Sequence, residues 1–272
     1  MHHIRIRLRI FLALFFAVMV LGTIGFMTIE DISIADAFYF SIVTISTVGY
    51  GDIHPASQAG KALAIVLIIM GVGTFLGVVA NATELFLNKR EARARMQKIN
   101  MVIGTFFSET GTRLLRLFSE CHADTEKIQQ DLVVTTAWTD RDFDTVTRKL
   151  KTYAYTIDIE KIDLADLRTF LTDRRDFLVR LLENPALLEH EAFTELLRAV
   201  FHVADELAYR DDVTNLPPND RAHLANDMKR SYRLLVLQWI DYMHYLKGHY
   251  PYLFSLAMRT NPFDRTASPV VR

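Results

Sequence analysis

Thr47-Val48-Gly49-Tyr50-Gly51, followed at once by Asp52, sets glycines at alternate positions in a short stretch between two long uncharged runs. Glycine adopts backbone angles closed to other residues, so alternate glycines let successive carbonyls turn to one side instead of alternating as they do in a strand. A stack of oxygens of this kind can replace the water shell of a cation, with the Thr47 hydroxyl available for the innermost layer. Val48 and Tyr50 would then point away and anchor the wall.

Elements able to hold such a stretch lie on both sides. From Ile10 to Ile29 the chain carries no charge, about 20 residues or 30 Å of helix, which matches the hydrocarbon thickness of a bilayer. Ala62 to Thr83, bracketed by Lys61 and Glu84, is uncharged for about 22 residues and also spans. A basic start before an apolar run is also the form of a secretory signal peptide. This run is long for a signal core, and no small-x-small cleavage site closes it before Glu30. Between the spans, 35–46 is too short to cross and can only enter and turn back, which requires its backbone to be buried in protein. Its carboxyl end at Ser46 carries the partial negative charge of a helix terminus and favours a cation; Asp36 sits near the opposite end.

Arg5, Arg7 and Arg9 precede the first span, and Lys89, Arg90, Arg93, Arg95 and Lys98 follow the second, which predicts both termini on the cytoplasmic side of a cell membrane. The second basic cluster suits anionic lipid headgroups. The loop between the spans carries Glu30, Asp31, Asp36 and Asp52 against Lys61 alone, an external mouth that gathers cations.

Thr47 to Gly51 matches, to the letter, the selectivity filter of potassium channels, and residues up to about Lys98 resemble the two-span prokaryotic members of that family. The resemblance implies passive potassium conduction through a homotetramer, each chain supplying two membrane helices (about 10–29 and 62–87), a pore helix (35–46) and a filter strand (47–51), with potassium as the transported ion and no cofactor. Tyr50 favours potassium, because related nonselective channels carry an acid at that position. Tyr39 and Asp52 occupy the family's places for a pore-helix aromatic and an acid that brace the filter, and a hydrogen bond between them is expected. Some relatives place a glutamate four residues before the filter threonine; Val43 stands there instead. Gly71 falls where related channels carry a gating hinge, whereas Gly73 and Gly77 suit a small-xxx-small packing face. Four copies of Glu84 could ring the inner mouth.

Beyond Lys98 the resemblance ends. Gly104-x6-Gly111 is no phosphate cradle of the Gly-x-Gly-x-x-Gly kind, so the nucleotide-binding domain of ligand-gated relatives is not expected. Residues 99–107 could pass for a strand, but Ile99, Ile103, Phe106, Phe107, Leu114, Leu117 and Phe118 recur at helical spacing, and a helix is the favoured reading. After Gly111 only Gly248 remains, and the pattern predicts helices over 139–155, from Asp163 to before Pro185, from Ala186 to Tyr209, and from Asp220 to Lys247 closed by Gly248. The expectation is an all-α membrane protein with a pore domain over 1–98, a cytoplasmic all-α domain over 99–262 that either stabilises the tetramer or transmits a signal, such as that of an unidentified ligand, to the helix ends, and a disordered tail over 263–272.

From Asn100 on, 22 Lys and Arg face 26 Asp and Glu, which argues against nucleic acid as a partner. Cys121 is alone, so no intrachain disulfide forms. Asp140-x-Asp142-x-Asp144 has the opening of a calcium loop, but Thr145 replaces its glycine and Lys151 its closing glutamate, and an acid-rich helix start explains it better. Cys121-His122 and His202 with Glu206 one turn on are weak metal candidates. No nucleophile and base pair, ligand set or phosphate loop marks an enzyme, and no regularly spaced arginines mark a voltage sensor. The alternative to a channel is a membrane-anchored sensor or scaffold with a non-conducting pore-like region.

Overall fold

The computed structural model describes residues 2–122, 130–187 and 190–270. These hold helices and turns and no strand, so the chain is all-α. It divides into two compact units, Met1–Ala94 and Arg95–Arg272.

In the first unit α1 spans His2–Ile29 and α2 Ile34–Ile45; α3, Gln58–Phe106, gives its first part to this unit and its end to the other. Only 28% of the most apolar window of α1, and 22% of that in the helix from Gln58, is buried within the chain. A soluble core would cover such windows. Bare apolar surface on this scale calls for lipid or a neighbouring subunit. α2 starts from Ser33, whose side chain accepts the Asp36 N–H at 3.1 Å while its hydroxyl donates to Asp36 Oδ2 at 2.7 Å. It buries Ala37, Ser41 and Ile45, and Phe40 meets Phe26 of α1 edge-on at 4.5 Å.

A Cβ at Gly71 would lie 2.4 Å from Ile45 and one at Gly77 2.3 Å from Phe11, whereas Gly73 meets nothing within 4 Å. The close-packing pair expected at Gly73 and Gly77 is therefore Gly71 and Gly77 within the chain. α3 packs against two neighbours, so residue 71 faces α2 and residue 77 faces α1, whereas residue 73 is exposed on the single chain.

The second unit opens with the end of α3, continues through one wider π-type turn, Phe107–Gly111, and passes into α4, Thr112–Glu120. The helical reading of 99–118 is the one realised. Then follow α5 (Asp140–Thr152), α6 (Leu164–Asp173), α7 (Arg175–Leu182), α8 (Glu191–Ala208), α9 (Pro218–His249) and α10 (Pro251–Arg259). α9 is the spine. Leu224, Met228, Tyr232, Leu235, Trp239 and Met243 recur along it at three- and four-residue spacing, all buried, with α8 along one side and α4, α5 and α10 against the rest.

Several boundaries differ from those expected. The helix predicted from Asp163 to Pro185 breaks at Arg174, whose N–H bonds back to the Phe170 and Thr172 carbonyls; the bend lets Leu167 and Leu171 before it, and Leu178 after it, all reach the core. The helix predicted from Ala186 starts only at Glu191, because Pro185–Leu187 forms a 3-10 turn and His190 Nδ1 accepts the Phe193 N–H as a cap. Leu188, one of its expected apolar positions, lies outside the described residues. α9 begins at Pro218, two residues earlier than expected, and runs through Gly248 to stop before Pro251, which offers no N–H to continue it. The tail predicted to be disordered from residue 263 begins in the core: Phe263 is 1% exposed and sits edge-on to Trp239 at 5.1 Å. Its N–H donates to Asn261 Oδ1, and Asn261 Nδ2 donates to the Leu132 carbonyl. One large ring is enough to anchor an otherwise polar segment. Residues 271–272 of that tail lie outside the described residues.

Candidate ion-conduction site

Thr47 to Gly51 leaves directly from the end of α2. The N–H groups of Val48 and Gly49 both donate to the Val43 carbonyl, at 3.0 and 3.2 Å, and that of Thr47 to the Thr44 carbonyl at 3.1 Å. Val43, which offers no acid here, thus acts through its backbone. The φ angle is +62° at Thr47, +59° at Gly49 and +79° at Gly51, and Val48 and Tyr50 between them do not share it. A Cβ at either glycine would meet nothing within 4 Å, so glycine is required there for conformation and not for space. Thr47 is β-branched and left-handed, a combination carrying about 1–3 kcal/mol of strain that the surrounding N–H bonds must hold. Val48 and Tyr50 are 53% and 72% exposed in the single chain.

Tyr39 Oη donates to Asp52 Oδ2 at 2.8 Å, tying α2 to the residue just past the stretch. Tyr39, Val43, Gly49, Asp52, Ala64 and Ile68 line a cavity of about 260 Å³ between the stretch, α2 and α3. Tyr39→Phe removes the hydrogen bond and keeps the ring. Currents are expected to decline faster during prolonged opening, and unchanged currents would show that the bond does not support the filter.

A residue whose part the sequence did not reveal sits at the start of α3. Glu30, read only as one of the loop acids, accepts from the Ser57 hydroxyl at 2.6 Å, the Ser57 N–H at 3.1 Å and the Ala56 N–H at 3.0 Å. Ser57 in turn caps α3 by accepting the Gly60 N–H at 2.9 Å. A Cβ at Gly60 would fall 1.7 Å from Glu30 Oε1, so the carboxylate occupies the space a side chain would take. Ser57-x-x-Gly60 at a helix start was the only signal of it. The Ser57 hydroxyl, then the Ala56 N–H, hold the Glu30 carboxyl below the usual carboxylate range. A lowered folded-state pKa stabilises above that range and stops doing so as pH falls through it. Glu30→Gln is therefore expected to melt earlier than the parent at pH 7, with the difference closing below about pH 4. A difference that did not narrow as the pH fell below about 4 would assign the effect to shape and not to charge.

Gly71 lies in unbroken helix against Ile45, and Glu84 is exposed further along α3. Both ring nitrogens of His122 are engaged, Nδ1 with the Thr156 carbonyl and Nε2 with the Tyr153 hydroxyl, each at 2.7 Å, so Cys121-His122 is structural. The Thr139 N–H and hydroxyl both donate to Asp142 Oδ2, at 2.6 and 2.7 Å, which makes the acid-rich segment the start of α5 and not an ion loop. In the second unit Phe107, Trp239, Tyr242, Tyr245, Tyr250 and Leu253 line a cavity of about 600 Å³.

Residues 13–88, which take in most of α1, α2, the filter stretch and the first part of α3, match the ion-channel family. The membrane unit is thus an ion-channel domain, and the chain is a membrane protein. Residues 95–259 match a second family, the C-terminal helical domain of uncharacterized protein MJ1433. Uncharacterized protein MJ1433 of Methanocaldococcus jannaschii is 48% identical over 181 residues, which cover 66% of this chain and 72% of that protein. The chain belongs to the MJ1433 family.

Proposed function

We propose that four copies of this chain close one potassium-selective pore, with Thr47, Val48, Gly49, Tyr50 and Gly51 as its filter. The observation that carries this reading is the left-handed backbone at every second residue, Thr47, Gly49 and Gly51, an alternation that lets carbonyls turn toward one axis. The exposure of Val48 and Tyr50 supports an oligomer, because an anchoring tyrosine needs a wall that one chain does not supply. Tyr39 and Asp52 support the filter, Gly71 is the point at which the inner helix bends, and Glu84 concentrates cations at the inner mouth. Both termini lie on the cytoplasmic side, as the flanking arginines and lysines imply. The helical unit sets the open fraction of the pore, and its aromatic cavity has the size and lining of a small-ligand site.

Purified protein in liposomes tests the reading through potassium flux compared with sodium, barium block, and a truncation ending after Lys98. Potassium-selective flux blocked by barium is the expected result, with a changed rate in the truncation if the helical unit gates. Flux from neither form would overturn the channel in favour of a membrane-anchored scaffold.

A further inference from the structure

α8 and α9 pack along each other in opposite directions, as the successive pairs Arg210–Asp220, His202–Asp227 and Glu195–Arg230 show. Each contributes a histidine and a carboxylate one turn apart on the facing side: His202 and Glu206 from α8, His223 and Asp227 from α9. The packing brings the two pairs together. His202 Nε2 lies 3.5 Å and His223 Nε2 3.3 Å from Asp227 Oδ2, and one ligand atom from each of the three residues falls within 4.8 Å of the others.

These spacings exceed those of good hydrogen bonds and suit a shared cation. Ligands held about 2.0–2.2 Å from a tetrahedral metal ion are separated from one another by about 3.3–3.6 Å. Asp227 Oδ2 is shut off from solvent and accepts no hydrogen bond among the described residues. A buried carboxylate oxygen without a donor is costly, and a cation bound there would remove that cost. Glu206 lies close to both imidazoles, with Oε1 3.7 Å from His202 Nε2 and Oε2 3.7 Å from His223 Nε2, while Arg210 Nη1 also donates to it at 2.8 Å. Both histidines are half exposed, which leaves an entry path and an open position for water. Two imidazoles with a carboxylate suit zinc, cobalt or nickel; magnesium and calcium prefer oxygen alone.

We propose that His202, His223 and Asp227 form a binding site for a divalent transition-metal ion of the zinc class, with Glu206 beside it, clamping α8 to α9. The site lies wholly in the helical unit and stands whether or not the pore selects potassium.

Full-length untagged protein in detergent, dialysed against micromolar Zn2+ and counted by elemental mass spectrometry, tests it. The parent is expected to hold one zinc ion per chain more than His202→Ala/His223→Ala, a difference that subtracts any binding by other histidines. Asp227→Asn is expected to weaken that ion at least tenfold, and Co2+ in its place should give visible absorption bands that the double variant lacks. Far-UV circular dichroism checks that the variants keep their helices; if the double variant loses them, His223→Gln takes its place. Equal zinc counts in parent and folded variant, or no zinc on the parent, would overturn the site and leave four ordinary surface side chains.

Discussion

Gly49→Ala is expected to abolish potassium flux while the protein folds and inserts as before. The φ angle at Gly49 is +59° and nothing lies within 4 Å of the Cβ position, so alanine fits but resists the conformation. An ordinary residue held left-handed costs about 1–2 kcal/mol. Over the four copies proposed for one filter this amounts to about 4–8 kcal/mol, enough to lower the population of aligned carbonyls a thousandfold or more. Gly73→Ala is the matched control: that residue is helical, a Cβ there also meets nothing within 4 Å, and alanine favours helix, so flux should persist. Liposome flux on the two variants decides the matter. Equal flux from Gly49→Ala and the parent would mean that the left-handed backbone is not the conducting one.

Tyr232→Ala should be the most destabilising single change in the helical unit, and Tyr232→Phe one of the mildest. Tyr232 is fully buried on α9, with Phe118, His122 and Tyr155 around its ring at 6.1, 6.0 and 5.4 Å between centroids. Removing such a ring costs about 3–5 kcal/mol in lost transfer energy and cavity, a fall of about 10 °C in the melting of a unit this size. Its hydroxyl is a different matter. It finds no hydrogen-bond partner among the described residues, and burial pushes the phenol far above its ordinary pKa. A buried hydroxyl without a partner costs about 1–3 kcal/mol, so deleting it should leave stability unchanged or higher. Thermal unfolding followed by near-UV circular dichroism separates the two; a large loss in Tyr232→Phe would reveal a partner for that oxygen.

The left-handed backbone at Gly49 and Gly51 was legible because that requirement is conformational and glycine spells such requirements out at fixed positions. The membrane helices were legible because twenty uncharged residues have few other uses. What escaped depended on contacts between distant segments. Glu30 looks like any loop acid until the chain returns with Ser57 beside it. His202 and Glu206 could be read as one turn of a helix, but His223 and Asp227 belong to the next helix, and only the packing of α8 on α9 unites the pairs. The break at Arg174 carries neither glycine nor proline, so local preference could not place it. Gly248 illustrates the converse: the signal for an end was present, and the α9 core contacts carried the helix past it.

The wide turn at Phe107–Gly111 also changes how the chain can be cut and compared. On an uninterrupted helix, the inward residues Leu114, Leu115 and Phe118 would be rotated by about 80° from Ile99, Ile103, Phe106 and Phe107. All seven are buried in one core, because the turn absorbs one residue and resets the helical phase. Deleting a single residue between 107 and 111 would thus convert the wide turn into plain α-helix and leave the apolar stripe of α4 facing the same core, whereas forcing the full-length segment into regular α-helix would swing that stripe away. A one-residue gap at this point between two relatives would mark the loss of the wide turn, with the same face of α4 still turned to the core.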